Sequence, residues 1–462
     1  MKYIISFILV AFIISCNTSN NSKSTTYFGG EIINPKSNIV LLLKNEKVID
    51  EISLDENNRF ISEYSSLDEG LYTFKHGNEF QYIYFEPADS VLIRLNTWDF
   101  DESLVFSGLG SSKNEFLINL FLQNEKEENE MYNFFKLEEK HFEHKLNILT
   151  TERNLMFDQF LETEPALSKG FKKLTNAAIS YPLYRLKENY PYYYRKAHKM
   201  DHFPNVSEEF YSFRNNVNLN EEDLVAFYSY QNYIISHLYN LSFRLQEKDS
   251  TKSNLTINIL NLAEDKIKLE SFKNNIQKKI VVDDFLYSET TCTINEDVLR
   301  IFLDYCTDDT HKQQVKNLVS DSKHVKSGQS LTNFDITSYN NINTTINNIV
   351  KNKNTLIYFW TIDYMSTDYL VKRVKYLEKR YPHIEFVGIN MQNNFGNIIT
   401  DPNLKQLDVK NQFKLTKNSD AYNFLTSTYP RTIIIDKNGI VKNGFTSLNS
   451  KKIHHELLKL EK

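Results

Sequence analysis

The groups best suited to chemistry in this sequence are its three cysteines, Cys16, Cys292 and Cys306. A thiolate can attack a disulfide, hold a metal or carry a lipid. The spacing supports little of this for the last two. Residues 296–306 read as a helix, about 16 Å long at 1.5 Å per residue. A disulfide needs Cα atoms within about 7 Å, so Cys292 would have to fold back along that helix. Two buried thiols are the expectation and a redox pair the alternative. No cysteine follows Cys306. His454 and His455 are neighbours on a terminal helical pattern with Ile453, Leu457 and Leu460. Adjacent helical residues point about 100° apart, so they make no metal pair. The chain has no H-E-x-x-H, no glycine-rich phosphate loop and no G-x-S-x-G. No metal and no cofactor are expected.

Residues 355–370, TLIYFWTIDYMSTDYL, are the element that could present a reactive group. They read as a buried strand over 356–360, a short loop, and the start of a helix. The helix mouth carries the hydroxyls of Ser366 and Thr367, as an N-cap requires. Leu370, Val374, Leu377 and Tyr381 then fall at helical spacing. Residues 384–390 (IEFVGIN) read as a second strand. Residues 429–439 (YPRTIIIDKNG) read as a proline-led strand closed by an Asn-Gly turn, a hairpin signal.

The strand ending in Phe359-Trp360, the helix after the loop, Tyr429-Pro430 before a strand and the IIIDKNGIV run together resemble thioredoxin-like modules of bacterial envelope thiol–disulfide proteins. The resemblance implies a Cys-x-x-Cys pair in the loop. Tyr364, Met365, Ser366 and Thr367 stand there instead. A phenol with an ordinary pKa of about 10, a thioether and two hydroxyls cannot form the mixed disulfide that exchange requires. The fold is therefore implied and the usual activity contradicted. In the family a cis proline borders a groove that holds an extended peptide. The corresponding residues are Trp360, Tyr364, Met365, Tyr429, Pro430 and Arg431, with a cis Tyr429–Pro430 bond. An aromatic rim with one arginine suits peptide recognition. The alternative is a vestigial groove packed against the helical part of the chain.

The N-terminus resembles a bacterial lipoprotein leader. Lys2 is a short basic region, and 3–14 is an apolar run too short to span a bilayer but suited to a signal peptide. The run ends Ile13-Ile14-Ser15-Cys16, which is similar to a lipobox. That implies cleavage before Cys16 and a diacylglycerol anchor on its sulfur, stable because more than one acyl chain is attached. The expected tether, 16–26, is polar and flexible. It has no acidic run after Cys16, which favours the periplasmic face of a membrane.

Between tether and module the chain changes character twice. Residues 27–110 carry short strands at 28–33, 39–44, 48–54, 60–64, 71–75, 80–85, 91–95 and 104–106, the rhythm of a sandwich. They resemble a β-domain of unknown function found in lipoproteins of Bacteroidetes-type bacteria. Residues 111–327 read as helical, with Pro182, Pro191 and Pro204 as helix boundaries and helices at 221–245, 255–276, 297–306 and 308–321. The segment YPLYRLKENYPYYYRKAH, 181–198, is either an aromatic-basic surface that stacks a sugar or base, or tyrosines packing helix on helix.

The chain has 462 residues, 41% of them apolar and 24% charged, with a net charge of -5. Those values suit several globular domains and give no basis for nucleic-acid binding. The expected fold is multidomain α+β: a signal peptide (1–15), a lipidated tether (16–26), a β-sandwich-like domain (27–110), a helical domain (111–327) and an α/β thioredoxin-like domain without Cys-x-x-Cys (328–462). The expected protein is an envelope lipoprotein that binds or scaffolds a peptide or protein, with the membrane and an envelope protein as partners. The alternatives are a thiol–disulfide oxidoreductase, or an accessory subunit of one, and a glycan-capturing lipoprotein using Tyr192 and Tyr193.

Overall fold

The computed structural model describes residues 25–249, 251–252, 254–287, 295–361, 364–391, 403–427, 429–450 and 452–460. The leader, Cys16, most of the tether and Cys292 lie outside the described residues. Among the described residues no helix is long and apolar enough to cross a membrane. The chain divides into two compact units. One is Met1–Leu122 with Ala166–Lys173, the other Gln123–Pro165 with Leu174–Lys462.

The first unit holds β1 (Thr26–Ile33), β2 (Ile39–Lys44), β3 (Lys47–Ser53), β4 (Arg59–Tyr64), β5 (Gly70–His76), β6 (Glu79–Phe85), β7 (Ser90–Asn96) and β8 (Val105–Leu109). They form two four-stranded sheets, β4-β1-β7-β8 and β3-β2-β5-β6. Side chains on a strand alternate between faces. Every second residue of β7, from Val91 through Ile93 to Leu95, is accordingly buried. The two sheets share one apolar core built on Phe28, Val40, Leu42, Phe74, Ile83 and Phe85. At the edge of β6, Asn114 stands in for a missing strand. Its Oδ1 accepts from Tyr84 N–H at 2.6 Å and its Nδ2 donates to Tyr84 O at 3.0 Å.

The helices follow in order: α1 (Ser111–Phe134), α2 (Glu139–Thr163), α3 (Lys169–Ala197), α4 (Tyr228–Lys248), α5 (Leu255–Lys266), α6 (Glu270–Tyr287), α7 (Glu296–Tyr305) and α8 (Asp309–His324). Two expectations are corrected here. Pro182 and Pro191 lie inside α3 and do not end it. Each removes one backbone bond. The buried flanks Tyr181, Leu183 and Tyr190 hold the helix through the interruptions. The helix expected at 255–276 is two helices, broken after Lys266. Asn220 Nδ2 donates to Lys266 O at 3.1 Å, and Lys268 N–H donates to Asn220 Oδ1 at 2.5 Å. A side chain 46 residues away thus supplies the bonds that the next helical turn would have made.

The C-terminal part of the second unit runs β9 (Asp335–Ser338), β10 (Asn343–Thr345), α9 (Ile346–Val350), β11 (Thr355–Trp360), α10 (Thr367–Arg380), β12 (Glu385–Asn390), β13 (Gln412–Leu415), β14 (Arg431–Ile435), β15 (Val441–Thr446) and α11 (Ile453–Leu460). One seven-stranded sheet results, in the order β10-β9-β13-β12-β11-β14-β15. The strands β11, β12 and β13 are parallel neighbours, while β14 runs antiparallel beside β11 and β15 pairs antiparallel with β14 at the sheet's edge. All six residues of β11 are buried, because both sheet faces are covered. On one face Leu370, Val374 and Leu377 of α10 pack with Ile453 and Leu457 of α11; on the other, Phe334, Ile346 and Phe424 pack on Ile357 and Phe359.

The helices reach this sheet through the chain that leaves α8. Ser327 Oγ donates to Lys442 O at 2.9 Å, and Val441 N–H donates to Gln329 O at 2.9 Å. Gly444 on β15 makes the junction possible, because a Cβ there would lie 1.8 Å from Val325 O. That neighbour is backbone and has nowhere to swing. Gly444→Ala is expected to cost about 2 kcal/mol or more in a urea unfolding curve, as overpacking against fixed backbone does. A midpoint unchanged from wild type would contradict this packing.

Candidate functional site

Two places in the second unit could carry function. The first is the mouth at the end of β11. Ser366 caps α10, its Oγ accepting from Tyr369 N–H at 3.3 Å. Tyr364 is exposed, Met365 is half-buried, and Thr367 Oγ1 accepts from Asn403 Nδ2 at 3.4 Å. The four positions where a dithiol is implied therefore present oxygen and a thioether at a helix N-terminus. A helix N-terminus can lower a thiol's pKa, but here there is no thiol to activate.

The expected groove beside the mouth is filled from within. Trp360 is 1% exposed and belongs to the core with Leu370 and Tyr358. Tyr429 is buried in one cluster with Val281 and Phe285 of α6, Phe302 of α7, and Val315 and Leu318 of α8. Burial pushes its phenol far up. The Tyr429–Pro430 bond expected to be cis is trans, since among the described residues no peptide bond is cis. Arg431 does not face a ligand either. It is 2% exposed and its Nη1 lies 2.7 Å from Asp321 Oδ2 of α8. The other guanidinium nitrogens donate to Ser427 O, Ser427 Oγ and Tyr429 O. Asp321 in turn accepts from Thr426 and Ser427, through both backbone and hydroxyl. Every polar atom of the pair has a partner, as a buried ion pair requires.

Cys306 lies in the same cluster as Tyr429, 1% exposed. Burial raises its thiol pKa, and its Sγ contacts Asp308 O at 3.6 Å. The thiol is held protonated, which is the opposite of an activated nucleophile.

What remains open at this end of the module is a stripe on α10. Tyr369 and Tyr376 are 46% and 48% exposed, with Arg373 between them and Tyr364 (48%) beside the mouth. Arg373 lies over the Tyr376 ring at 5.4 Å. Tyrosine and arginine on an exposed, rigid helix are the composition of protein interfaces.

The second place is a cavity of about 560 Å³ between α3 and α4, covered by residues 203–206. Both walls are helical stripes. Arg185, Glu188, Asn189 and Tyr192 face it from α3, and Ser236, Tyr239, Asn240 and Phe243 from α4. The Tyr192 and Phe243 rings stack at 5.3 Å, and Phe203 lies 5.2 Å from Phe243. The tyrosine-rich segment thus divides its labour. Tyr181 and Tyr190 pack in the core against Tyr230 and Phe142, while Tyr192 lines the cavity.

Beneath the cavity is a charged network that the sequence did not reveal. Glu188 is 2% exposed. Its Oε1 accepts from Arg214 Nε at 2.9 Å, its Oε2 from Arg214 Nη2 at 2.5 Å, and His237 Nδ1 is 2.8 Å from Oε1. Asn240 Nδ2 donates to Glu188 O at 2.7 Å. Burial alone would raise the Glu188 carboxyl, but the bonds from His237 and Arg214 outweigh it and hold the group below its usual range. An acidic residue and a histidine 49 positions apart give no local signal.

No protein-family model matches the chain, and no curated protein does. Solved structures do. A thiol:disulfide interchange protein from Bacteroides sp. is 19% identical, covering 26% of this chain and 80% of its own, with a TM-score of 0.22. The thioredoxin domain of a thiol-disulfide oxidoreductase from Bacteroides vulgatus is 19% identical, covering 26% of this chain and 86% of its own, with a TM-score of 0.21. Such a likeness says nothing about the chemistry of this chain.

Two outcomes test the site as described. Asp321→Ala strands a buried guanidinium and is expected to cost about 3–5 kcal/mol, most of it recovered in an Asp321→Leu, Arg431→Met double variant. Chemical denaturation of the three proteins measures this. Glu188, with its folded pKa depressed, stabilises above its unfolded value of about 4.3 and loses that contribution as pH falls through the folded one. The gap in unfolding free energy between wild type and Glu188→Gln should therefore narrow from pH 5 to pH 3.

Proposed function

We propose that the protein is a lipoprotein held on a bacterial envelope membrane through Cys16, and that its C-terminal thioredoxin-like module performs no thiol–disulfide exchange but presents a surface to a protein partner. One observation carries the reading. The mouth holds Tyr364, Met365, Ser366 and Thr367, and the residues that would line a substrate groove beside it, Tyr429 and Arg431, are spent on packing and an ion pair with the helices. The order of strands about β11 supports the thioredoxin-like reading of the module. The exposed Tyr364, Tyr369 and Tyr376 support a protein partner for the surface beside that mouth. The leader pattern supports the anchor.

The test has two arms. Purified full-length protein in detergent should reduce insulin disulfides no faster than buffer with the same reductant. Turnover above that level, lost in a Cys292→Ser, Cys306→Ser variant, would replace this reading by the oxidoreductase. In intact cells a photo-crosslinking residue at position 369 or 376 should give a discrete adduct that the same residue at 47, on β3, does not give. Equal adducts at all three positions would count against a partner surface on α10.

A further inference from the structure

Two helices that pack side by side ordinarily close to about 8–10 Å with apolar side chains between them. Between α3 and α4 the facing stripes instead carry arginine, glutamate, asparagine, serine and tyrosine, and a cavity of about 560 Å³ stays open. That is within the range of small-molecule sites. Its floor is buried, at Glu188, Ser236 and Asn240, and its rim is exposed, at Asn205, Arg244 and Lys248.

The charges around it are unequal in availability. Glu188 is engaged by Arg214 and His237, and Glu247 accepts from Phe203 N–H at 3.0 Å. Among the described residues Arg185 has no hydrogen bond or ion pair, although it is half-buried in the wall. Among the described residues Arg244 makes only a ring contact, over Tyr211 at 4.8 Å. Tyr239 has no hydrogen-bond partner among the described residues, and burial pushes its phenol up to about 12, so at neutral pH it offers a proton. The cavity therefore combines unused cationic donors with flat ring faces.

We propose that this cavity binds a carboxylate on a flat apolar body, with Arg185 and Arg244 taking the carboxylate and the rings of Tyr192, Phe203 and Phe243 taking the flat face. A guanidinium meets a carboxylate in a planar two-bond fork, which a neutral ligand cannot replace. A ring wall accepts either an aromatic ring or the C–H face of a pyranose. Aromatic acids and uronic-acid sugars share this chemistry, and the ligands tested must separate them. The proposal concerns a different site from the mouth of α10 and does not depend on that reading.

Isothermal titration calorimetry on the full-length protein in detergent tests it with four probes: 4-hydroxyphenylacetate, digalacturonate, and the methyl ester of each. At least one acid should bind with a Kd of about 1 mM or tighter, and its ester about tenfold or more weakly. Which acid binds identifies the aromatic or the sugar source. Arg185→Ala should abolish the preference for acid over ester, with the thermal midpoint kept, since among the described residues Arg185 has no hydrogen bond or ion pair to lose. Neither acid binding at about 10 mM, or acid and ester binding alike in the wild type, would overturn the proposal.

Discussion

The contact on which the second unit depends is the ion pair between Asp321 and Arg431. Each is 2% exposed, and they meet at 2.7 Å between α8 and the start of β14. A lone charge at that depth is prohibitive, so neither residue can be buried without the other. The pair therefore does more than add attraction. It requires α8 to be present wherever β14 is folded, and it fixes Phe424, Thr426, Ser427 and Tyr429 by using their carbonyls and hydroxyls as the remaining partners. The helices are thereby made a condition of the sheet's native arrangement.

The same pair also limits what the end of β11 can do. Thiol–disulfide exchange on a bound chain at this end would need an exposed, ionisable sulfur and an open strip of backbone beside it. The first is absent from Tyr364 to Thr367. The second is occupied because Arg431 turns inward and Tyr429 joins the apolar cluster of α6, α7 and α8. The sheet itself needs neither, since its stability rests on β11 being buried on both faces. Function must therefore be argued from what is exposed.

Elements whose pattern is local were legible in the sequence. The eight strands of the first unit announce themselves by period-two alternation between turn residues, and each occurs within a few residues of its expected place. The strand at 355–360 and the helix from Thr367 were legible from an unbroken apolar run, then a Ser366 cap followed by apolar residues at helical spacing. What failed depended on distant partners. The prolines of α3 looked like boundaries because the packing of the tyrosines before them, Tyr190 on Phe142 and Tyr181 on Tyr230, was invisible. Residues 255–276 looked like one helix because Asn220 lies outside any local window. Arg431 read as a ligand-facing charge, although an arginine leading into Thr-Ile-Ile-Ile is itself a sign of a buried cation. Its partner lies 110 residues earlier, beyond periodicity. The candidate site was half legible in this sense: the missing sulfur could be read directly, while a groove packed against the helices stood only as one of two alternatives.

The cavity between α3 and α4 illustrates the same limit and also why it persists. Had position 188 been leucine, the two helices could have closed onto apolar contact. A buried carboxylate forbids that, because its oxygens must be surrounded by donors. Arg214 supplies two of them from the segment Glu209–Asn216, His237 another from α4, and Asn240 binds the Glu188 carbonyl. Three elements are braced against each other by one residue, and long side chains in fixed positions keep them apart. An ionic brace adds little net stability over a packed apolar core. A structure that held only a fold would gain from filling this space. Where local rules are broken and the breach is reinforced by fully bonded neighbours, the space itself is what the surrounding residues maintain.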